Sequence, residues 1–143
     1  MVMDDHAEVA REILVTCGVE SYLRASVLML APPWWVRAND ALLAEQHRQA
    51  AAASPPIEVL TSRIDAIVRF DRRARLGEIR TPTLVVVAAD DTITPRFFSD
   101  ELAERIAGAK LVVLEAGGHY APVCLPEPYN AQVGAFLRGQ IGR

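Results

Sequence analysis

Over the first 30 positions the apolar residues Val9, Ile13, Leu14, Val19, Tyr22, Leu23, Val27 and Leu30 recur at helical spacing. Recurrence every three or four positions builds one apolar face on a helix, and Gly18 reads as a stop and restart between two helices. Pro32 and Pro33 end the second one. After the tandem Trp34 and Trp35, Asn39 stands at a capping position, and the spacing predicts a helix that continues through the alanine run to Ala53. Ser54-Pro55-Pro56 breaks it. Ile57, Leu60, Ile64, Ile67, Val68 and Phe70 form the next stripe, with Pro55 and Pro56 expected in the first-turn positions that tolerate proline.

Past a connector from Asp71 to Arg80 the period changes. The run Thr83 to Ala89 is too short for an independent helix, rich in Val and without alternation, which predicts a strand covered on both faces. Phe97 to Ala107 carries Leu102 and Ile106 against Asp100, Glu101, Glu104 and Arg105, and a second apolar run begins at Leu111. Strand, helix, strand is one right-handed crossover unit with a parallel pair. Pro126-Glu127-Pro128 precedes a last helix, Tyr129 to Leu137. The chain therefore divides into a helical region, 1–70, and an α/β region, 71–143.

Composition narrows the class. The chain has 143 residues, 51 % hydrophobic and 23 % charged, which suits a folded globular protein with a core of its own. A net charge of −3 with dispersed arginines gives no basic stripe for phosphates, so nucleic acid is not an expected partner. Arg72, Arg73 and Arg75 cluster, but Asp71 and Glu78 flank them as in a solvated connector. Cys17 and Cys124 lie far apart with no Cys-x-x-Cys, so no metal site is expected and both read as small buried hydrophobes. The acidic N-terminus is no secretory signal, and no apolar run is expected to reach the length of a membrane span. Those readings point to the cytoplasm and to no membrane partner.

Asp91 and His119 each follow an apolar strand, in Thr-Leu-Val-Val-Val-Ala-Ala-Asp-Asp-Thr-Ile-Thr-Pro and Leu-Val-Val-Leu-Glu-Ala-Gly-Gly-His. Parallel strands joined by a crossover helix send their carboxyl-end loops to the same sheet edge, and neighbouring strands lie about 5 Å apart. A carboxylate that orients an imidazole, and an imidazole that takes a proton, are two parts of a hydrolytic triad. Gly117 and Gly118 allow a sharp turn before the imidazole, and Pro95 fixes the other loop. Asp90 competes with Asp91 for the orienting role; alternation along the strand makes adjacent side chains point apart and favours Asp91. His6, in a terminus expected to fray, and His47, on a polar helix side, read as solvated. No Gly-x-Ser-x-Gly occurs, and Ser21, Ser26, Ser54, Ser62 and Ser99 all fall in helical or proline-flanked contexts.

Leu-Gly-Glu-Ile-Arg-Thr-Pro-Thr-Leu-Val-Val-Val, Asp-Asp-Thr-Ile-Thr-Pro, Gly-Gly-His and Pro-Glu-Pro-Tyr-Asn together resemble the C-terminal part of an α/β-hydrolase, over Leu76 to Leu137. Leu-Ala-Pro-Pro-Trp-Trp and Val-Leu-Thr-Ser-Arg-Ile-Asp-Ala-Ile-Val-Arg-Phe-Asp look like the cap of one subgroup, the aminoacrylate (carbamate) hydrolases of pyrimidine utilisation. The resemblance implies a partial α/β-hydrolase fold: a helical cap, then the last parallel strand-helix-strand unit and a C-terminal helix. It also implies Asp91 as triad acid, His119 as triad base, and Trp34 and Trp35 as substrate-binding residues lining the pocket under the cap. Packing between cap helices is the competing reading of the two tryptophans.

The expected activity is hydrolysis of a C–N or ester bond in a small molecule, with no cofactor and no metal. With acid and base but no nucleophile elbow, the isolated chain is expected to be inactive. Two strands are rarely stable unaided, so self-association is expected too. The alternatives are a non-catalytic helical interaction or ligand-binding module, and half of a split hydrolase completed by an N-terminal half.

Overall fold

The computed structural model describes residues 2–140, with the side chains of 2–4 outside the description. Two compact units emerge, Met1–Phe70 and Asp71–Arg143. The first is all helix: α1 (Val2–Leu30), α2 (Pro33–Ala38), α3 (Asp40–Ala52) and α4 (Ile57–Arg69). Gly18 interrupts α1 with φ 81 and ψ 174, a conformation only glycine adopts easily, so α1 is two helices meeting at a kink. α1 packs against α3 and α4, burying Leu14, Val27, Leu43 and Ile64. Leu14 is 0 % exposed, and burial of a side chain of that size contributes about 1.5–3 kcal/mol.

Several expectations for this unit are corrected. Asn39 does occupy the cap position of α3, but its side-chain Nδ2 donates 2.8 Å back to the Trp35 carbonyl. Its amide thus closes the carbonyl end of α2, a short helix that the spacing did not predict. Pro55 and Pro56 precede α4 rather than forming its first turn, with Pro56 extended at φ −50, ψ 147. His6 lies within α1 and, like His47, is half-buried rather than solvated. Cys17, beside the Gly18 kink, is exposed rather than buried. The stretch Asp5–Leu30 does have the length and composition of a membrane span, with mean hydropathy 1.5, contrary to expectation. The kink divides it into two pieces, each shorter than the roughly 20 residues a span needs.

The second unit holds a 3-10 turn (Arg73–Glu78), β1 (Leu84–Ala88), α5 (Arg96–Arg105), β2 (Lys110–Leu114), α6 (Ala121–Cys124) and α7 (Pro126–Arg138). β1 and β2 pair in parallel, from Leu84 opposite Lys110 to Ala88 opposite Leu114. Ala88, Leu114 and Ala121 form a buried cluster against which Val86, Val112 and Tyr129 pack. Alternation sends Val85 and Val87 to the opposite face, where both are buried, so β1 is covered on both sides. β2 is not, since Val113 stays 37 % exposed. α5 and α7 each contact both strands. α7 begins three residues before the expected Tyr129, because Pro126 and Pro128 sit in a first turn that needs no N–H donors. Arg73 pairs with Asp71 and Arg75 with Glu78, so two of the three clustered arginines are paired with the acids that flank them.

Candidate active site

β1 ends at Ala88, and the Asp91 N–H returns 3.2 Å to the Ala88 carbonyl, turning the chain sharply at the strand end. The Asp91 side chain, 7 % exposed, sits inside that turn. Its Oδ1 accepts the backbone N–H groups of Ile93 and Thr94, both at 2.9 Å, an Asx-type arrangement that ties the carboxylate to the loop entering α5. Its Oδ2 accepts the Thr94 hydroxyl at 2.9 Å and faces His119 Nδ1 at 3.1 Å. With four donors converging on it, the carboxylate has no rotational freedom left to lose.

His119 leaves the end of β2 through Gly117 and Gly118, at φ 126 and φ 59. Both are conformations in which a Cβ is strained, so the turn that presents the imidazole depends on glycine at these positions. The next residues wind into α6, whose first residue, Ala121, lies so close to Gly117 that a Cβ there would meet it at 2.9 Å. Asp91 and His119, 28 positions apart, are thus brought together by the strand ends. The His119 side chain remains 36 % exposed while Asp91 is covered. Because Nδ1 faces a carboxylate, the proton belongs on Nδ1, which leaves the lone pair on Nε2, on the far side of the ring.

Two groups add to this pair. The Thr94 hydroxyl lies 3.2 Å from His119 Nδ1 as well as donating to Asp91, so it closes a three-membered polar cluster. Asp90 turns away from the imidazole, and its carboxylate accepts the N–H groups of Gly118 at 2.8 Å and Gly117 at 3.3 Å. Thr94 carried no sequence signal beyond that of a turn residue, and Asp90 was weighed only as the competitor of Asp91 for the imidazole. The buried Cys124 thiol in α6 is pushed up, first by burial and then by the nearby Asp90 charge, which keeps it in the unreactive thiol form.

The remaining candidates belong to other elements. Trp34 and Trp35 are in α2, in the helical unit; Trp34 is 49 % exposed, so it is not the core anchor that packing alone would make it. Ser21 and Ser26 are in α1, Ser62 in α4, Ser99 buried within α5, and Ser54 between α3 and α4. Among the described residues no serine stands at a strand-to-helix turn. Among the described residues no group of three or more His, Cys, Asp or Glu side chains could hold a metal ion.

No protein-family profile matches the chain. Curated relatives do. The chain is 37 % identical over 134 residues to a protein of Azorhizobium caulinodans, covering 94 % of this chain and 50 % of that one, whose name assigns it provisionally as the carbamate hydrolase RutD. It is 38 % identical over 132 residues to a protein of the same name from Pseudomonas savastanoi pv. phaseolicola, covering 92 % and 51 %. The chain therefore spans about half the length of these relatives. Among solved structures, the enol-lactonase from Burkholderia xenovorans LB400 superposes with a TM-score of 0.79 at 22 % identity, over 90 % of this chain and 48 % of that one. That likeness carries the fold.

Proposed function

We propose, for a chain that is the C-terminal part of an α/β-hydrolase, that its 71–143 unit supplies the acid and base of a nucleophilic hydrolase. The nucleophile itself would come from outside these residues. The single observation that carries the reading is the Asp91–His119 hydrogen bond at two adjacent strand ends, made through Nδ1 and so directing the lone pair to Nε2. In the reaction, Nε2 takes the proton of a nucleophilic hydroxyl as its oxygen bonds to the substrate carbonyl carbon. The resulting imidazolium is stabilised by Asp91 and returns the proton to the leaving nitrogen or oxygen as that bond breaks. Water then repeats the cycle on the acyl intermediate. The base contributes typically 10²–10⁴-fold, and none of it is realised without a nucleophile to deprotonate.

The names of the curated relatives support a carbamate as the substrate class, which means C–N or ester-type bonds in a small molecule. Trp34 and Trp35 as substrate contacts rest on the resemblance and on the exposed ring of Trp34. A two-stranded sheet is marginal unaided, and its outer edges are where a further polypeptide, another copy or an N-terminal half, would add strands.

The test mixes the purified chain with the N-terminal half of the Azorhizobium caulinodans relative and follows hydrolysis of p-nitrophenyl acetate. Alone, the chain should show no turnover above its own His119→Ala variant. The mixture should turn over, lose that turnover with His119→Ala, and place a fluorophosphonate label on the partner. A label on a serine of this chain, or a mixture indifferent to His119→Ala, overturns the proposal.

A further inference from the structure

The two adjacent carboxylates after β1 do different work. Asp91 holds the imidazole; Asp90 holds the backbone that carries it. Gly117 and Gly118 are consecutive, buried and both at positive φ, and their N–H groups converge on the two oxygens of Asp90, 27 and 28 positions back along the chain. Successive amides in such conformations form a small concavity that favours an anion. Here the anion is a side chain of the facing strand end. Of the side-chain hydrogen bonds found at the tip of this sheet, those of Asp90 are the ones that tie the backbone of the His119 loop to the loop after β1. The link through Asp91 and Thr94 reaches only the imidazole ring.

Glycine has more backbone freedom to lose than any other residue, so a Gly-Gly segment just before a base is the least constrained tether available. A ring-to-carboxylate contact can swing with such a tether. A carboxylate that fixes both amides removes the swing, and it does so without touching the reacting atoms. We infer that Asp90 is a positioning residue: by clamping the Gly117 and Gly118 amides it sets the place of the His119 ring against Asp91. This inference rests on the acid–base reading of Asp91 and His119 but is tested separately from it.

The experiment is NMR on the whole chain, comparing Asp90→Asn and Asp90→Ala with Asp91→Asn. Two signals are followed: hydrogen exchange of the Gly117 and Gly118 amides, and the proton on His119 Nδ1. Loss of a buried hydrogen-bond acceptor should speed exchange of the Gly118 amide about ten- to a hundredfold in Asp90→Ala. The His119 Nδ1 proton should broaden or vanish in that variant although Asp91 is intact. Asp90→Asn, which keeps one acceptor oxygen, should fall between the two and remains informative if Asp90→Ala does not fold. An unchanged Nδ1 proton in both Asp90 variants, with the fold retained, overturns the positioning role. If instead Asp91→Asn leaves that proton untouched, the acid–base reading fails, while amide exchange still reports on the clamp.

Discussion

Replacing Gly117 with alanine asks how much slack exists in the loop that carries His119. Gly117 sits at φ 126, and a Cβ built there stands 2.9 Å from both Cα and Cβ of Ala121, with Leu125 Cδ1 at 3.5 Å. The nearest neighbour is backbone at the start of α6, so no rotamer change relieves the contact. Putting a side chain at positive φ costs about 1–2 kcal/mol, and forcing extra volume into a packed site costs about 1–3 kcal/mol, for a sum near 2–5 kcal/mol. Gly108 is the control: it lies at φ 75 with nothing within 4 Å, so Gly108→Ala should carry only the backbone share. The difference between the two variants, roughly 1–3 kcal/mol, isolates the collision with α6. Amide hydrogen exchange at Val86 and Val87 of β1 reads this unit apart from the helices of 1–70, and the fastest exchange should belong to Gly117→Ala. Equal protection in the two alanine variants would refute the claim that the His119 turn is held tightly against α6.

Other outcomes follow from the same coordinates. With Cys17 exposed and Cys124 buried and pushed up, a thiol reagent near pH 8 should modify Cys17 rapidly and Cys124 only on unfolding; two equally fast thiols would contradict this. The Asp71 carboxyl is held down from 3.8 to about 2, first by the Arg73 side-chain hydrogen bond and then by the Arg73 backbone N–H. A lowered folded-state value means the contribution of the pair is present above the ordinary carboxylate range and is lost as pH falls through about 4 to about 2. A carboxyl NMR titration of Asp71 should therefore show a midpoint near 2, and a midpoint near 3.8 would show that the ion pair does not persist in solution.

Much of this was legible in the residues because two periods dominate the chain. Helical spacing placed α1, α3 and α4, the Val-rich runs placed β1 and β2 within a residue or two, and the helix between them required a parallel pair. That topology alone puts Asp91 and His119 at one sheet edge. Alternation also separated Asp91 from Asp90, which does point elsewhere. What spacing could not convey is where a polar side chain spends its hydrogen bonds. Asn39 looks like a cap for the helix after it and serves the helix before it. Thr94 looks like a turn residue and bridges acid and base. Asp90 looks like a spare carboxylate and holds two amides that are remote in sequence. Exposure was misread at Cys17, which lies beside the break in α1 at Gly18 and is exposed. The lone-turn helix α6 was missed since four residues give no period.

The account stands or falls on the state of one imidazole. With selectively ¹⁵N-labelled histidine, the chain should show His119 in the Nδ1–H form when the ring is neutral, with that proton shifted downfield by the Asp91 carboxylate and the preference weakened in Asp91→Asn. A His119 that carries its proton on Nε2, or that does not respond to Asp91→Asn, would mean the two side chains do not work as acid and base.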